Sequence, residues 1–160
     1  MQTHSILLQQ YRLVQSAREA LLDYCGRINP EHFCQKVASF NNESIASMMA
    51  HVATTYVSWL VNFAQQEQRP YFAAEDCVDL RAARVMFNEV NLMVDSFLQK
   101  FEDALDAPLT LPKREGLELS LSPFMLFTHV ITHEFHHKGQ MVNMSRQLGY
   151  IPVDTDVIRY

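Results

Sequence analysis

Apolar residues recur at spacings of three and four over four stretches of roughly 25 residues each, the period of a helix with one buried face. The first stretch runs from about His4 to Ile28 and carries Leu7, Tyr11, Val14, Ala17, Leu21, Tyr24 and Ile28. It stops at Gly26 to Pro30, where proline cannot continue a helix. The second runs from about Asn42 to Gln66, with Ile45, Met48, Met49, Val52, Tyr56, Trp59, Leu60 and Phe63 as its stripe. Asn41 or Asn42 is expected to cap it, because a short polar side chain accepts from the unpaired N–H groups of a first turn. The third, Asp79 to about Leu105, is the most regular. Leu80, Ala83, Phe87, Val90, Val94, Phe97 and Phe101 step alternately by three and four. The fourth opens at Ser122-Pro123, a capping residue before proline at the first helical position. It runs to about Leu148, where Gly149 fits a left-handed stop.

Asp106 to Leu121 separates the third and fourth stretches and reads either as an extended crossover or as a short hairpin. No repeat, linker or low-complexity segment divides the chain. The pattern predicts one all-α domain over residues 1–160, a four-helix bundle with a long crossover before the last helix.

Composition narrows the classes. Of 160 residues, 48% are hydrophobic and 19% charged, with only 4 Gly and 6 Pro, which excludes disorder and collagen-like repeats. The balance of 13 basic against 18 acidic side chains leaves no cationic excess to neutralise phosphates, so no nucleic-acid partner is expected. Cys25, Cys34 and Cys77 are odd in number and lack CxxC spacing. They read as small buried apolar residues in a reducing compartment. No apolar run approaches the roughly 18 residues of a membrane span. The first residues lack the basic region and cleavage site of a signal peptide. The expected location is the cytoplasm, with no membrane partner.

Chemistry enters with the histidines. His51 lies on the second helix, and His129, His133, His136 and His137 on the fourth. At about 100° per residue, His133 and His137 fall within about 40° of each other, on a face shared with Leu126, Val130, Met141 and Met144. Imidazoles at i and i+4 can converge on one metal ion. His129 cannot join them, since about 12 Å of helical rise separates it from His137. A third ligand must come from another helix, and His51, beside Met48 and Val52, is the candidate. Gln140 follows one turn later on the same face, placed to orient a ligating imidazole or a bound water. Glu134 reads as a surface residue, His129 and His136 as lining a pocket mouth, and His4 and His32 as solvent or cap residues. No catalytic residue is assigned.

His133-Glu134-Phe135-His136-His137 also satisfies HExxH, the helix of zinc peptidases. The extended metalloprotease pattern fails at Gln140 and Asn143, and only Asp154 and Asp156 follow as later carboxylates. The opposite side of the same helix carries Ile131, Phe135 and Val142 around Gly139, a second apolar face that points to a homodimer.

His51 in Ile45-Ala46-Ser47-Met48-Met49-Ala50-His51, Trp59 eight residues later and His133-x3-His137-x2-Gln140 together resemble the DinB/YfiT-like family of metal-binding proteins. The ending from Gly149-Tyr150-Ile151-Pro152 to Arg159-Tyr160 is similar too, and the likeness runs helix for helix along the chain. The resemblance implies a four-helix bundle whose three histidines, here His51, His133 and His137, hold a divalent ion, nickel or zinc. It implies dimers as well. The family includes S-transferases using low-molecular-weight thiols such as bacillithiol or mycothiol, and a maleylpyruvate isomerase branch. The expectation is a metal-dependent, thiol-using S-transferase. Alternatives are a metal-dependent hydrolase or isomerase, or a bundle that binds metal or a small molecule without turnover.

Overall fold

A computed structural model describes residues 2–159, with side chains from residue 5 onward. Helix α1 spans Gln2–Cys25. It buries Leu7, Tyr11, Val14, Leu21 and Leu22, while Ile28 is buried from the turn that follows rather than from the helix. Pro30 does more than interrupt. It starts a short helix α2 (Pro30–Phe33), capped by Asn29 Oδ1, which accepts from Glu31 N at 2.8 Å.

The cap expected from Asn41 or Asn42 is corrected. Both residues turn the chain in the left-handed region, φ 55° and 60°, which asparagine tolerates better than most residues. Ser44 caps α3 (Ile45–Tyr56) instead. Its Oγ accepts from Ser47 N at 3.0 Å, and Ser47 Oγ accepts from Ser44 N at 2.8 Å. Beyond Tyr56 the second helix does not stay α. Val57–Phe63 forms seven residues of π-helix. That wider winding re-aims the side chains that follow, among them Ser58 and Trp59. Helix α4 (Leu80–Lys100) begins where expected, with Asp79 Oδ1 accepting from Ala82 N at 2.7 Å. It ends at Lys100, and Phe101 and Leu105 are buried from turns. Helix α5 (Pro123–Gln147) matches its expected start at Ser122 and its stop before Gly149, whose φ is 92°.

The strand-free bundle is corrected as well. Leu109–Arg114 (β1) and Leu117–Leu121 (β2) form an antiparallel hairpin, with Leu109 opposite Leu121 and Leu111 opposite Leu119. Apolar residues at alternate positions line one face of a strand, and these four leucines pack on the helical core. β1 lies against the π segment, where Lys113 Nζ donates to Ser58 Oγ at 2.7 Å and sits 4.0 Å over the Trp59 ring.

The long helices close a ring. α3 packs against α4 and α5, and α1 packs against the same two. One hydrophobic cluster fills the space between them, centred on Tyr11, Met49, Tyr56, Phe97, Phe127 and Met144. Cys25 and Cys77 are buried as expected. Cys34 is exposed, with its Sγ 3.4 Å from the Val78 carbonyl. Among the described residues, no helix is long and apolar enough to cross a membrane.

Candidate metal centre

Three histidines meet where α3 faces α5. His51 comes from the middle of α3; His133 and His137 come from successive turns of α5. One nitrogen of each lies within 4.8 Å of the other two, a group able to hold a single metal ion. Ring centroids are 4.3 Å apart for His133 and His137, 4.7 Å for His51 and His137, and 5.1 Å for His51 and His133. The i, i+4 spacing read from the sequence produces this, because both rings leave α5 on the side that faces His51.

Hydrogen bonding fixes one of the rings. Gln140 Oε1 lies 2.7 Å from His137 Nδ1. An amide oxygen only accepts, so Nδ1 carries the proton and Nε2 turns its lone pair toward the other histidines. That Nε2 lies 3.1 Å from His133 Nε2. His133 Nδ1 is buried and finds no partner among the described residues. Burial, then the neighbouring imidazoles of His137 and His51, pushes His133 down to about 4. Burial also lowers His137, against the opposing pull of Gln140. His133 and His137 are therefore neutral at pH 7, the state in which imidazole ligates. Three imidazoles form a donor set able to hold a metal ion.

His51 is exposed and opens onto a cavity of about 630 Å³. His137 and Gln140 also line it, with Phe40, Met48 and Phe72 among its apolar residues. His129 and His136 border the trio at its two ends without lining this cavity. His129 packs 5.1 Å from the Trp59 ring and 5.8 Å from His133, and His136 lies 4.9 Å from His137. The remaining histidines stand apart. His32 Nδ1 is 2.8 Å from the Tyr150 hydroxyl, neither free in solvent nor a helix cap. The His4 side chain lies outside the described residues.

Glu134 corrects the sequence reading most sharply. It is buried, 4% exposed, and both its oxygens accept from Arg18, at 2.6 Å from Nε and 2.7 Å from Nη2. The Tyr56 hydroxyl donates to it at 2.5 Å. Arg18 Nη1 and the Tyr11 hydroxyl both donate to Asn91 Oδ1, at 2.8 and 2.9 Å. Five side chains from α1, α3, α4 and α5 thus form one closed polar cluster. Burial raises Tyr11 to about 12. Burial would lower Arg18, but the Glu134 carboxylate together with the Tyr11 and Tyr56 phenols holds the guanidinium well above its usual range. The glutamate of the HExxH pattern is accordingly committed to a guanidinium and a phenol, away from any water it would activate in a peptidase. The signal for its partners was in the pattern. Arg18 falls four residues after Val14 and three before Leu21, on the apolar stripe itself, and Asn91 stands in the same relation to Phe87 and Val94.

The DinB family model matches residues 1–160. The chain belongs to the DinB family. Protein DinB of Bacillus subtilis strain 168 is 26% identical over 123 residues, 71% of this chain and 69% of that protein. A DinB-like protein from Bacillus cereus ATCC 10987, solved by crystallography, superposes with a TM-score of 0.66 at 16% identity, covering 92% of this chain and 94% of that one. At that identity the likeness shows the fold alone. The residues that carried the resemblance now have places in a DinB-family fold. The three histidines converge, Gln140 orients one of them, and Trp59 packs between His129 and Lys113.

Proposed function

We propose that His51, His133 and His137 hold one divalent ion, zinc or nickel, and that the adjoining cavity binds a low-molecular-weight thiol for an S-transfer reaction. The observation that carries this reading is the convergence of three imidazole nitrogens within 4.8 Å at the wall of a cavity of about 630 Å³. When bound, the ion would supply Lewis acidity, which favours the thiolate over the thiol at neutral pH. Gln140 holds the Nδ1 proton of His137 and so keeps its Nε2 free for ligation. The cavity is wide enough for a thiol and an electrophile together. In the reaction a sulfur–carbon bond forms, the leaving group departs with its electron pair, and the thiol proton passes to solvent.

Elemental analysis after identical metal loading and dialysis tests the site. Wild type should retain about one ion per chain, and His51→Ala and His137→Ala should lose it. Equal retention in all three, or none in any, overturns the assignment. Turnover of a chromogenic electrophile only with both thiol and metal supports the transferase; ester hydrolysis without thiol points to a hydrolase instead. Pairing of two copies through the Gly139 side of α5 belongs to the same proposal. Gly139 is exposed there, and a Cβ added to it would meet nothing within 4 Å. The chain's own tail already lies over part of that helix, where Lys138 Nζ donates to the Thr155 carbonyl. Light scattering giving a mass near 18.5 kDa would rule the pairing out.

A further inference from the structure

The cavity beside the three histidines has an uneven charge. Its lining includes one carboxylate, Glu43, and no lysine or arginine. The hydroxyls around it are already directed elsewhere. Ser39 Oγ donates to Gln147 Oε1 at 2.6 Å, Thr54 Oγ1 to the Phe72 carbonyl at 3.1 Å, and Ser47 Oγ to Glu43 Oε2 at 2.5 Å. Their protons are spent within the protein, so these three hydroxyls offer a ligand mainly acceptors, beside the uncharged Asn41 amide. At the start of α3, Ser44 Oγ takes the Ser47 N–H, and the Glu43 carboxylate adjacent to it disfavours an anion there. Glu43 lies just before α3 and His51 in its middle, and both line the cavity. Phe40, Met48 and Phe72 supply apolar wall in the same cavity.

Resting on the metal-site reading above, we propose that the substrate is an amine-bearing thiol. Its sulfur lies at the histidine end, a largely apolar spacer follows, and a protonated amine meets Glu43. An anionic substrate would meet the Glu43 carboxylate with no cationic side chain in the cavity to offset it. Selectivity is thereby assigned to a residue outside the three histidines.

Calorimetric titration of the zinc-loaded protein with three six-carbon thiols, ending in an amine, a hydroxyl or a carboxylate, tests this. The amine should bind about fivefold tighter than the alcohol, with the carboxylate weaker than both. Glu43→Gln, which keeps an acceptor for Ser47, should erase the difference between amine and alcohol. Zinc content is measured on the same samples, so a protein that holds no zinc refutes the metal site separately. The charge preference is then read without metal, from hexylamine against hexanoate. Equal binding, a preference for the carboxylate, or an amine preference that survives Glu43→Gln overturns the inference whichever way the zinc result falls.

Discussion

Two polar clusters meet on adjacent residues of α5, and they are built on opposite terms. Around Glu134 every strong donor and acceptor finds a partner. Arg18 grips the carboxylate with two hydrogen bonds, Tyr56 adds a third, and Tyr11 and Asn91 complete the set, all walled off from solvent or nearly so. Around His133 the groups are left wanting. His133 Nδ1 is buried and unpartnered, two imidazole nitrogens face each other at 3.1 Å, and His51 opens onto a cavity. A buried polar group left unpaired costs folding free energy, so one of these clusters spends stability and the other conserves it. The satisfied cluster fixes how four helices sit against one another. The unsatisfied one is where a ligand has something to gain.

The sharpest way to break that comparison is to unpair the closed cluster. Arg18→Ala leaves the Glu134 carboxylate buried without its guanidinium, and loss of one partner from such a pair costs about 3–5 kcal/mol. The urea midpoint should fall accordingly. Arg18→Met with Glu134→Leu removes both charges and should recover most of that loss, because apolar replacements leave nothing unpaired. If the double variant is as unstable as the single one, the cluster's role is not electrostatic pairing.

The same two clusters show what a sequence gives up readily. The histidine trio was legible because its signal is local. Spacing of i, i+4 on one apolar face needs only the geometry of a helix, and a single orphan histidine on another helix completed it. For the Glu134 cluster the stripe positions of Arg18 and Asn91 marked them as inward-facing, but Arg18 and Glu134 lie 116 residues apart and no local rule pairs them. Placing Glu134 about 100° from His133 on the helix identified the direction correctly. Reading that direction as solvent failed because α5 is flanked by α1 on one side and α3 on the other. The hairpin stayed open as one of two readings, beside an extended crossover, for a different reason. Leu109, Leu111, Leu119 and Leu121 alternate plainly, but the strands hold only six and five residues, and a two-stranded ribbon needs a neighbour to be stable. The helical core supplies it, and cores are tertiary information. The π stretch at Val57–Phe63 also left no mark, since its apolar residues satisfy a 3.6-residue period equally well.

Opening the histidine cluster should have the opposite profile from opening the closed one. His137→Ala removes a ligand and the Gln140 contact together, and metal affinity should fall by at least about a hundredfold. The metal-free protein should lose less than about 1 kcal/mol in the same urea assay, because no buried pair is broken. A large stability loss without metal would place His137 with the structural residues. Gln140→Ala is the milder version. It keeps all three imidazoles and removes only the acceptor that holds the His137 Nδ1 proton, so affinity should drop about tenfold by zinc titration. An unchanged affinity would return Gln140 to the cavity wall.

The smallest effect is one of pH, and it belongs to the histidine cluster. His133 is held down at about 4 by burial, then by the charge of its neighbours, against about 6.5 in an unfolded chain. A folded value below the unfolded one means that the unfolded chain binds the extra proton. The stability tied to a neutral His133 is therefore complete above about pH 6.5 and is lost progressively as the pH falls toward 4. Burial lowers His137 and His129 in the same direction. Metal-free protein followed by urea denaturation from pH 7 to pH 4 should weaken across that window, and His133→Gln should flatten the slope. The half-buried position of these rings lets solvent screen part of the effect, so the slope stays below that of one full proton. A slope unchanged in His133→Gln would mean that other groups drive the acid sensitivity, and that the imidazole cluster does not pay for its neutrality in the way its geometry indicates.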